Sequence, residues 1–491
     1  MRRKLYILAT TLTILVITML SILYTSGSRQ NGIIHDYDEL TGLPIQTLTI
    51  RTSDRHRWVI QQAAAAMNDS WQERGEPYIF RAEIDQYPLF DRIRELPLFD
   101  PANREARLMR LRIELMSGQG PDIFIFDGLY DLHPFVHSGF LQDIYKLIDA
   151  DSNTDRSDFF THALEAFEIN NGLYVLPVSF GFQYVTINAN LPQEFIDRFM
   201  QKSTISLVEM MEFYLDLMLI HSDELGHLSI DVTNGLTRPS TITLASVNNF
   251  VDLNARTSNL TDPRFVEILE LIGAVHANTA YWGDSTHMPY MGHRNMRDIA
   301  FTYVFGLHDW HLDSALFNYD PPLFKHHIPL VDDNGRLMLH YHPIFGGHAM
   351  WSCISIATTG NKELAWEFTQ HMIYAYTNPS ELSALDTRLP TRAPWASDNL
   401  TIPISRSLFN NYTLPAFQKF IVSDENINRA QQSEHLVSRL AIYNEQPMHT
   451  LLFRVPFHLI EEPLDHFRLG LITAETAAQR MQNAVSLWLI E

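Results

Sequence analysis

Gly118–Ile144 reads GQGPDIFIFDGLYDLHPFVHSGFLQDI, and after a gap Asn171–Phe182 reads NGLYVLPVSFGF. These two stretches decide the fold. A helical pattern precedes them: in Arg104–Ser117, Leu108, Leu111 and Leu115 share one face, and Met109, Ile113 and Met116 widen it. Gly118 stands where a helix end takes a left-handed residue, and Pro121 prevents continuation. Ile123-Phe-Ile-Phe126 is a short, unbroken apolar run, the pattern of a strand covered on both faces of a parallel sheet. Asp127-Gly128-Leu129-Tyr130 then opens a loop at the strand's carboxyl end, the edge at which open α/β sheets bind ligands. Helix stop, buried strand, strand-end loop, second strand and chain crossing follow in the order of a ligand cleft.

Outward from this stretch the pattern stays mixed. Thr47–Arg51 is strand-like, Trp58–Trp71 is helical, and Tyr78–Ile84 is strand-like, the opening of an α/β domain. Pro88-Leu-Phe-Asp91 recurs as Pro97-Leu-Phe-Asp100, which reads as a loop insertion beside the cleft. Phe265–Val275 is helical, Ile299–Phe305 strand-like, and Met350–Ala357 another strand-like run. Thr359 or Asn361 caps a helix carrying Leu364, Phe368 and Met372 at i, i+4 and i+8, and Asn378-Pro379 stops it. A last helix starts near Thr473 with an apolar face of Ala474, Ala477, Met481, Val485 and Trp488.

The chain has 491 residues, enough for two or three domains. With 46% hydrophobic and 19% charged residues it is globular. Its formal net charge of −21 disfavours nucleic acid and anionic lipid as partners of the folded part. The lone cysteine, Cys353, precludes an intrachain disulfide and sits in an apolar run, as a buried thiol does.

The N-terminus differs in kind. Arg2, Arg3 and Lys4 precede an uncharged stretch, Leu5–Tyr24, long enough as a helix to span the roughly 30 Å of a bilayer core. It reads as a signal anchor or as a long signal peptide cut near Thr25–Ser28, the anchor being favoured because a secretory apolar core is usually only about 7–15 residues. Both readings place the rest of the chain outside the cytoplasm, cell-surface or secreted.

No nucleophile elbow, P-loop or H-E-x-x-H occurs, so no catalytic residue and no cofactor is nominated. His326-His327 and His340-Tyr341-His342 lack partners at metal spacing, so no metal site is nominated either.

Gly118–Asp127, Gly139–Ile144 and Asn171–Phe180, with Gly360–Ile373, Arg388–Trp395 and Thr473–Leu489 in order behind them, together resemble the extracellular solute-binding proteins of ABC importers, family 1, the class that includes maltose-binding protein. The resemblance implies a two-lobed periplasmic-binding-protein-like fold of type II, with discontinuous α/β lobes joined by hinge segments. Residues 1–30 would be the membrane segment and 31–44 a tether. Residues 45–180 plus 308–377 would form lobe 1, and 184–305 plus 380–491 lobe 2. Crossings are expected near Phe180–Tyr184, Gly306–Leu312 and Asn378–Pro390. One departure is the lack of a lipid-attachment cysteine near the N-terminus, which leaves Leu5–Tyr24 to hold the protein at the bilayer.

The implied function is capture of a solute, a carbohydrate, by hinge closure for an ABC permease, without catalysis. A membrane-anchored ligand sensor of the same fold is the second reading and an extracellular hydrolase the third. A sugar site combines aromatic faces with a few placed polar groups. The resemblance nominates Asp127, Tyr130, Phe180, Phe182, Asp309 and Trp310, and the remaining aromatic candidates are Trp282 and Trp351. It makes Asp122 a structural hydrogen-bonder.

Overall fold

The computed structural model describes residues 37–52, 56–86, 101–126, 132–188, 190–225, 229–230, 243, 245–278, 299–305, 324–339, 353–358, 360–377, 402–415, 446–449, 455–456 and 458–490. They form a mixed α/β structure with two principal sheets and two hydrophobic cores, the first of which also takes Val331, Leu337 and Met448 from strands of the second sheet.

The first sheet is five-stranded. Its strand Ile45–Thr52 lies between Ile79–Gln86 and Ile123–Phe126 and runs parallel to both, with Ile50 opposite Ile84 and Ile123. Parallel neighbours need crossover connections, and the helices Arg57–Arg74 and Pro101–Met116 supply them. The first helix buries Val59, Ile60, Ala63, Met67 and Trp71 as one stripe and ends at Gly75, whose φ of 72° is left-handed. Cys353–Ile356, from far along the chain, pairs antiparallel with Ile123–Phe126, and Leu176–Pro177 closes the edge. The helix Lys362–Thr377 follows that inserted strand and buries Leu364, Phe368 and Met372 in the first core. Asn361 caps it by accepting from the Leu364 amide at 3.1 Å.

The second sheet is antiparallel about Gln183–Asn188, which pairs with Ile299–Phe305 on one side and Phe324–Val331 on the other. Leu207–Leu225, Pro263–Asn278 and the C-terminal helix Ala474–Ile490 bury their apolar faces in this core. Ala474, Ala477, Met481 and Val485 are buried as the sequence pattern predicts, and Trp488 packs at the margin.

Several expectations are corrected by this topology. Ile299–Phe305 and Phe324–Val331 are both neighbours of Gln183–Asn188 in one sheet, and the crossing expected near Gly306–Leu312 lies outside the described residues. Phe324–Val331 therefore belongs with the second sheet, although the sequence reading gave 308–377 to lobe 1. Leu339 bridges to Phe182 and packs in the first core, and the next described strand, Cys353–Ile356, is in the first sheet. Ile402, Ile404 and Phe409 pack in the first core, although the sequence pattern puts 380–491 in lobe 2, and the crossing expected near Asn378–Pro390 lies outside the described residues. Helix Pro101–Met116 buries Leu111 and Leu115, but Met109, Ile113 and Met116 are exposed, so its buried stripe is narrower than expected. The membrane segment Leu5–Tyr24, both PLFD copies and the Asn378-Pro379 stop lie outside the described residues. Among the described residues no helix is long and apolar enough to cross a membrane.

Candidate functional site

The parallel strands Ile45–Thr52, Ile79–Gln86 and Ile123–Phe126 end along one edge of the first sheet. That edge is where an α/β sheet presents its ligand loops. Thr52, the last residue of the central strand, is 3% exposed, and its hydroxyl has no partner among the described residues. A buried hydroxyl left so is costly, which makes it a ready hydrogen-bonding group for something arriving at that edge. Beside it Arg51 is braced by Asp85 (Nε to Oδ2, 2.9 Å) and by Glu114 of the neighbouring helix. Burial works to raise the Glu114 carboxyl, but hydrogen bonds from Arg51 and Arg110 outweigh it and hold the group below the usual range. The ion-paired group fixes the strand end.

The motifs that flagged this region build its framework. The Asp122 carboxylate accepts from the Thr49 amide at 2.8 Å, and its backbone carbonyl accepts from Ala357 at 2.9 Å. It thus locks the parallel pair to the inserted strand, as the sequence reading expected of a structural residue. Gly360 is required opposite it, since a Cβ there would stand 2.2 Å from Asp122 Oδ1. Asp143, in the GFLQDI motif, accepts from Tyr145 and Leu173 amides, both at 3.2 Å. Ser355 donates to the Tyr174 carbonyl at 2.7 Å, tying the NGLYVLPVSF segment to the same strand.

The crossing itself is an aromatic knot. Ser179–Phe180 pairs antiparallel with Ile402–Pro403, Phe182 bridges to Leu339, and the chain then enters the second sheet. Phe180 and Phe182 are 0% and 1% exposed. Phe180 meets Phe160 edge-on at 5.3 Å and Phe182 at 5.8 Å, while Phe160 meets Phe409 at 5.6 Å. The Arg406 guanidinium covers the Phe160 ring at 4.9 Å and donates to the Phe159 carbonyl at 2.8 Å. Phe180 and Phe182 were nominated as solute contacts. In this structure their rings are consumed by packing, so they act as anchors of the crossing and offer no face to a ligand. Asp127, Tyr130, Trp282, Asp309, Trp310 and Trp351 lie outside the described residues.

Among the described residues, two hollows lie elsewhere. One, of 440 Å³, is walled by Asp149, Asp151, Asp155 and Asp158. Its carboxylates are engaged: Asp149 with Arg156 at 2.6 Å, Asp155 with the Ser157 amide at 2.8 Å, and Asp158 with the Asp155 amide at 2.7 Å. Asp151 accepts from Trp366 at 3.0 Å and Gln370 at 2.8 Å. The other, of 510 Å³, sits in the second lobe between Glu209, Glu212, Arg264, Glu267 and Asp333. Burial, with the charges of Asp332 and Glu209, raises the Asp333 carboxyl, and Asn249 donates to it at 3.2 Å. Among the described residues no group of three or more His, Cys, Asp or Glu side chains is placed to hold a metal. Cys353 is buried in the first sheet.

No protein-family profile matches the chain, and no curated protein matches it in sequence. Solved structures do match it in fold. The sugar-binding protein MalE of Xanthomonas citri aligns at 12% identity over 91% of this chain and 98% of its own, with a TM-score of 0.56. The cyclic alpha-maltosyl-1,6-maltose binding protein of Arthrobacter globiformis aligns at 14% identity over 90% and 99%, with a TM-score of 0.52. A family 1 extracellular solute-binding protein of Alicyclobacillus acidocaldarius aligns at 12% identity over 91% and 99%, with a TM-score of 0.52. At such identities the likeness establishes the fold: an α/β, two-lobed, periplasmic-binding-protein-like architecture.

Proposed function

We propose that this chain is a non-catalytic extracytoplasmic solute-binding protein that traps a carbohydrate between its lobes by hinge closure and delivers it to an ABC-type importer. The observation that carries the reading is the pair of hydrophobic cores, each with its own helices, between which the chain passes at 177–183. Two bodies joined by a few extended segments can rotate with little loss of packing, since hinges need only a few residues to absorb the change. The solved structures of like fold include a sugar-binding protein and a cyclic alpha-maltosyl-1,6-maltose binding protein, which favours sugars as ligands.

In this reading the solute rests on the carboxyl edge of the first sheet. Asp127 and Tyr130, which follow the strand Ile123–Phe126 in sequence, would contact the solute. Asp309, Trp310, Trp282 and Trp351 supply the remaining polar and aromatic contacts. Thr52 is added to them as a hydroxyl facing the same edge. Flat aromatic faces against the apolar side of a sugar ring, with a carboxylate and a hydroxyl for its hydroxyl groups, make a complete recognition set. The Leu5–Tyr24 segment would keep the protein at the bilayer, close to a permease.

The test is a thermal-shift screen of the purified chain across mono- and oligosaccharides, peptides and polyamines, followed by product analysis of each hit. A ligand that binds only the folded state raises its stability by mass action. Stabilisation by a saccharide that is recovered intact supports the proposal. Stabilisation only by peptides or polyamines overturns the carbohydrate assignment, and hydrolysis of the saccharide overturns the non-catalytic one.

A further inference from the structure

The lobes also meet away from the strand crossings. The short helix His133–His137 belongs to the first core through Phe135 and Val136. The surface it meets belongs to the second lobe. The antiparallel pair Val251–Asp252 and Thr257–Ser258 is tied to the C-terminal helix, because Gln482 donates to Ser258 Oγ at 2.8 Å and Ser258 lies 3.0 Å from Ser486 Oγ. Against this surface the His133 ring packs edge-on to Trp488 at 5.3 Å. The Arg256 Nη2 atom lies 3.0 Å from His137 Nδ1 and 3.2 Å from Nε2.

Arg256 is placed there at a cost. Its φ is 54°, in the left-handed region. For a side-chain-bearing residue this costs about 1–2 kcal/mol, and such strain persists where the surroundings over-determine it. Asp252 supplies part of that determination by accepting from the Asn254 and Ala255 amides at 2.9 and 2.8 Å, which fixes the turn that carries Arg256.

We infer that His137 and Arg256 form a pH-sensitive latch between the lobes, closed while the imidazole is neutral and released when it is protonated. With Nη2 about 3 Å from both ring nitrogens, the guanidinium lies over the imidazole face, a contact that the neutral ring tolerates. A protonated one has only donors, and it would stand as a second cation about 3 Å away. Among the described residues, the groups facing His137 are Arg256 from the turn and His133, 6.1 Å away on its own helix. The C-terminal helix brings the uncharged Trp488 to His133. Burial, followed by the Arg256 charge, depresses the His137 imidazole below its ordinary value. The sign follows from that depression. The contact is fully present above the ordinary imidazole range near pH ~6.5 and is lost as pH falls through the depressed value. Acidification thus releases one of the contacts that set the angle between the lobes, with no change at the solute edge.

The experiment uses the full chain with spin labels on K146C and Q479C, exposed positions on the two lobes. Inter-label distances are measured without solute at pH 7.5 and pH 5.5. The latch predicts one narrow distance at pH 7.5 and a second, different population at pH 5.5. His137→Gln keeps an acceptor for Arg256 but does not titrate, so it should hold the pH 7.5 distribution at both values. Arg256→Gln should give the same distribution at both values as well. An unchanged distribution in the parent chain overturns the proposal, as does a full pH response that persists in His137→Gln. Far-ultraviolet circular dichroism of each variant at both pH values checks that the lobes stay folded.

Discussion

Phe180→Ala separates the two roles a cleft aromatic can have. The ring is 0% exposed and meets Phe160 and Phe182 edge-on at 5.3 and 5.8 Å. Truncating a buried Phe to Ala costs about 3–5 kcal/mol through lost transfer energy and the cavity left behind. The two edge-to-face pairs contribute about 0.5–1.5 kcal/mol each beyond buried area, so the loss should sit in the upper part of that range. Phe180→Leu keeps most of the volume and loses only the ring pairs and some shape, so about 1–3 kcal/mol is expected from the same contacts. Urea unfolding followed by circular dichroism reads both, as a lower midpoint at unchanged slope. Saccharide affinity of folded Phe180→Leu should stay within about threefold of the parent, less than the tenfold that 1.4 kcal/mol represents. The reasoning is refuted if Phe180→Ala loses less than about 1 kcal/mol, or if Phe180→Leu keeps its stability but loses saccharide binding. Either result would put the ring against solute instead of in the crossing.

Gly360→Ala drives a Cβ to 2.2 Å from Asp122 Oδ1 and displaces the carboxylate that accepts from Thr49, so it should cost about 1–3 kcal/mol in urea midpoint without abolishing sugar binding. Asp151→Asn tests the acid limb. Burial opposes ionisation of Asp151, but donors from Asn153, Trp366, Gln370 and Thr154 hold its carboxyl below the ordinary range. The stability it supplies is therefore complete above about pH 4 and lost as pH falls through the depressed value, so the variant should melt lower at pH 7 and show a flatter decline between pH 4 and 2. Asp127→Ala and Trp310→Ala should each weaken saccharide binding by about tenfold or more while leaving the melting temperature of the solute-free protein unchanged, as calorimetry and thermal melts would show.

Much of the framework is legible in the residues. The strand–helix–strand opening, the Gly118 stop, the Ile123–Phe126 strand, the Asn361 cap and the apolar face of the last helix are local patterns, and each is observed. The assignment of strands to sheets is less legible, because it depends on partners distant in sequence. Nothing in Phe324–Val331, with its adjacent histidines, says that it pairs with Gln183–Asn188, and so the sequence pattern alone puts it in lobe 1. Helical periodicity marked Met109, Ile113 and Met116 as apolar without saying how wide a stripe the sheet would cover. The motifs located the site's neighbourhood through residues that build it, Asp122 and Asp143 above all. Phe180 and Phe182 carried a binding signal only through their place at the crossing, and the same place explains their burial. Thr52 gave no signal, because an unpartnered hydroxyl becomes visible only after the strand end is seen to be buried. The meeting of His137 with Arg256 joins positions 119 residues apart and has no local signature either.

Small-angle scattering of the purified chain during titration with the saccharide that stabilises it most tests capture by lobe closure most directly. The radius of gyration should fall as the sugar saturates a single site, and the sugar should be recovered intact. A saturating saccharide that leaves the radius unchanged, or that is cleaved during the titration, contradicts the account.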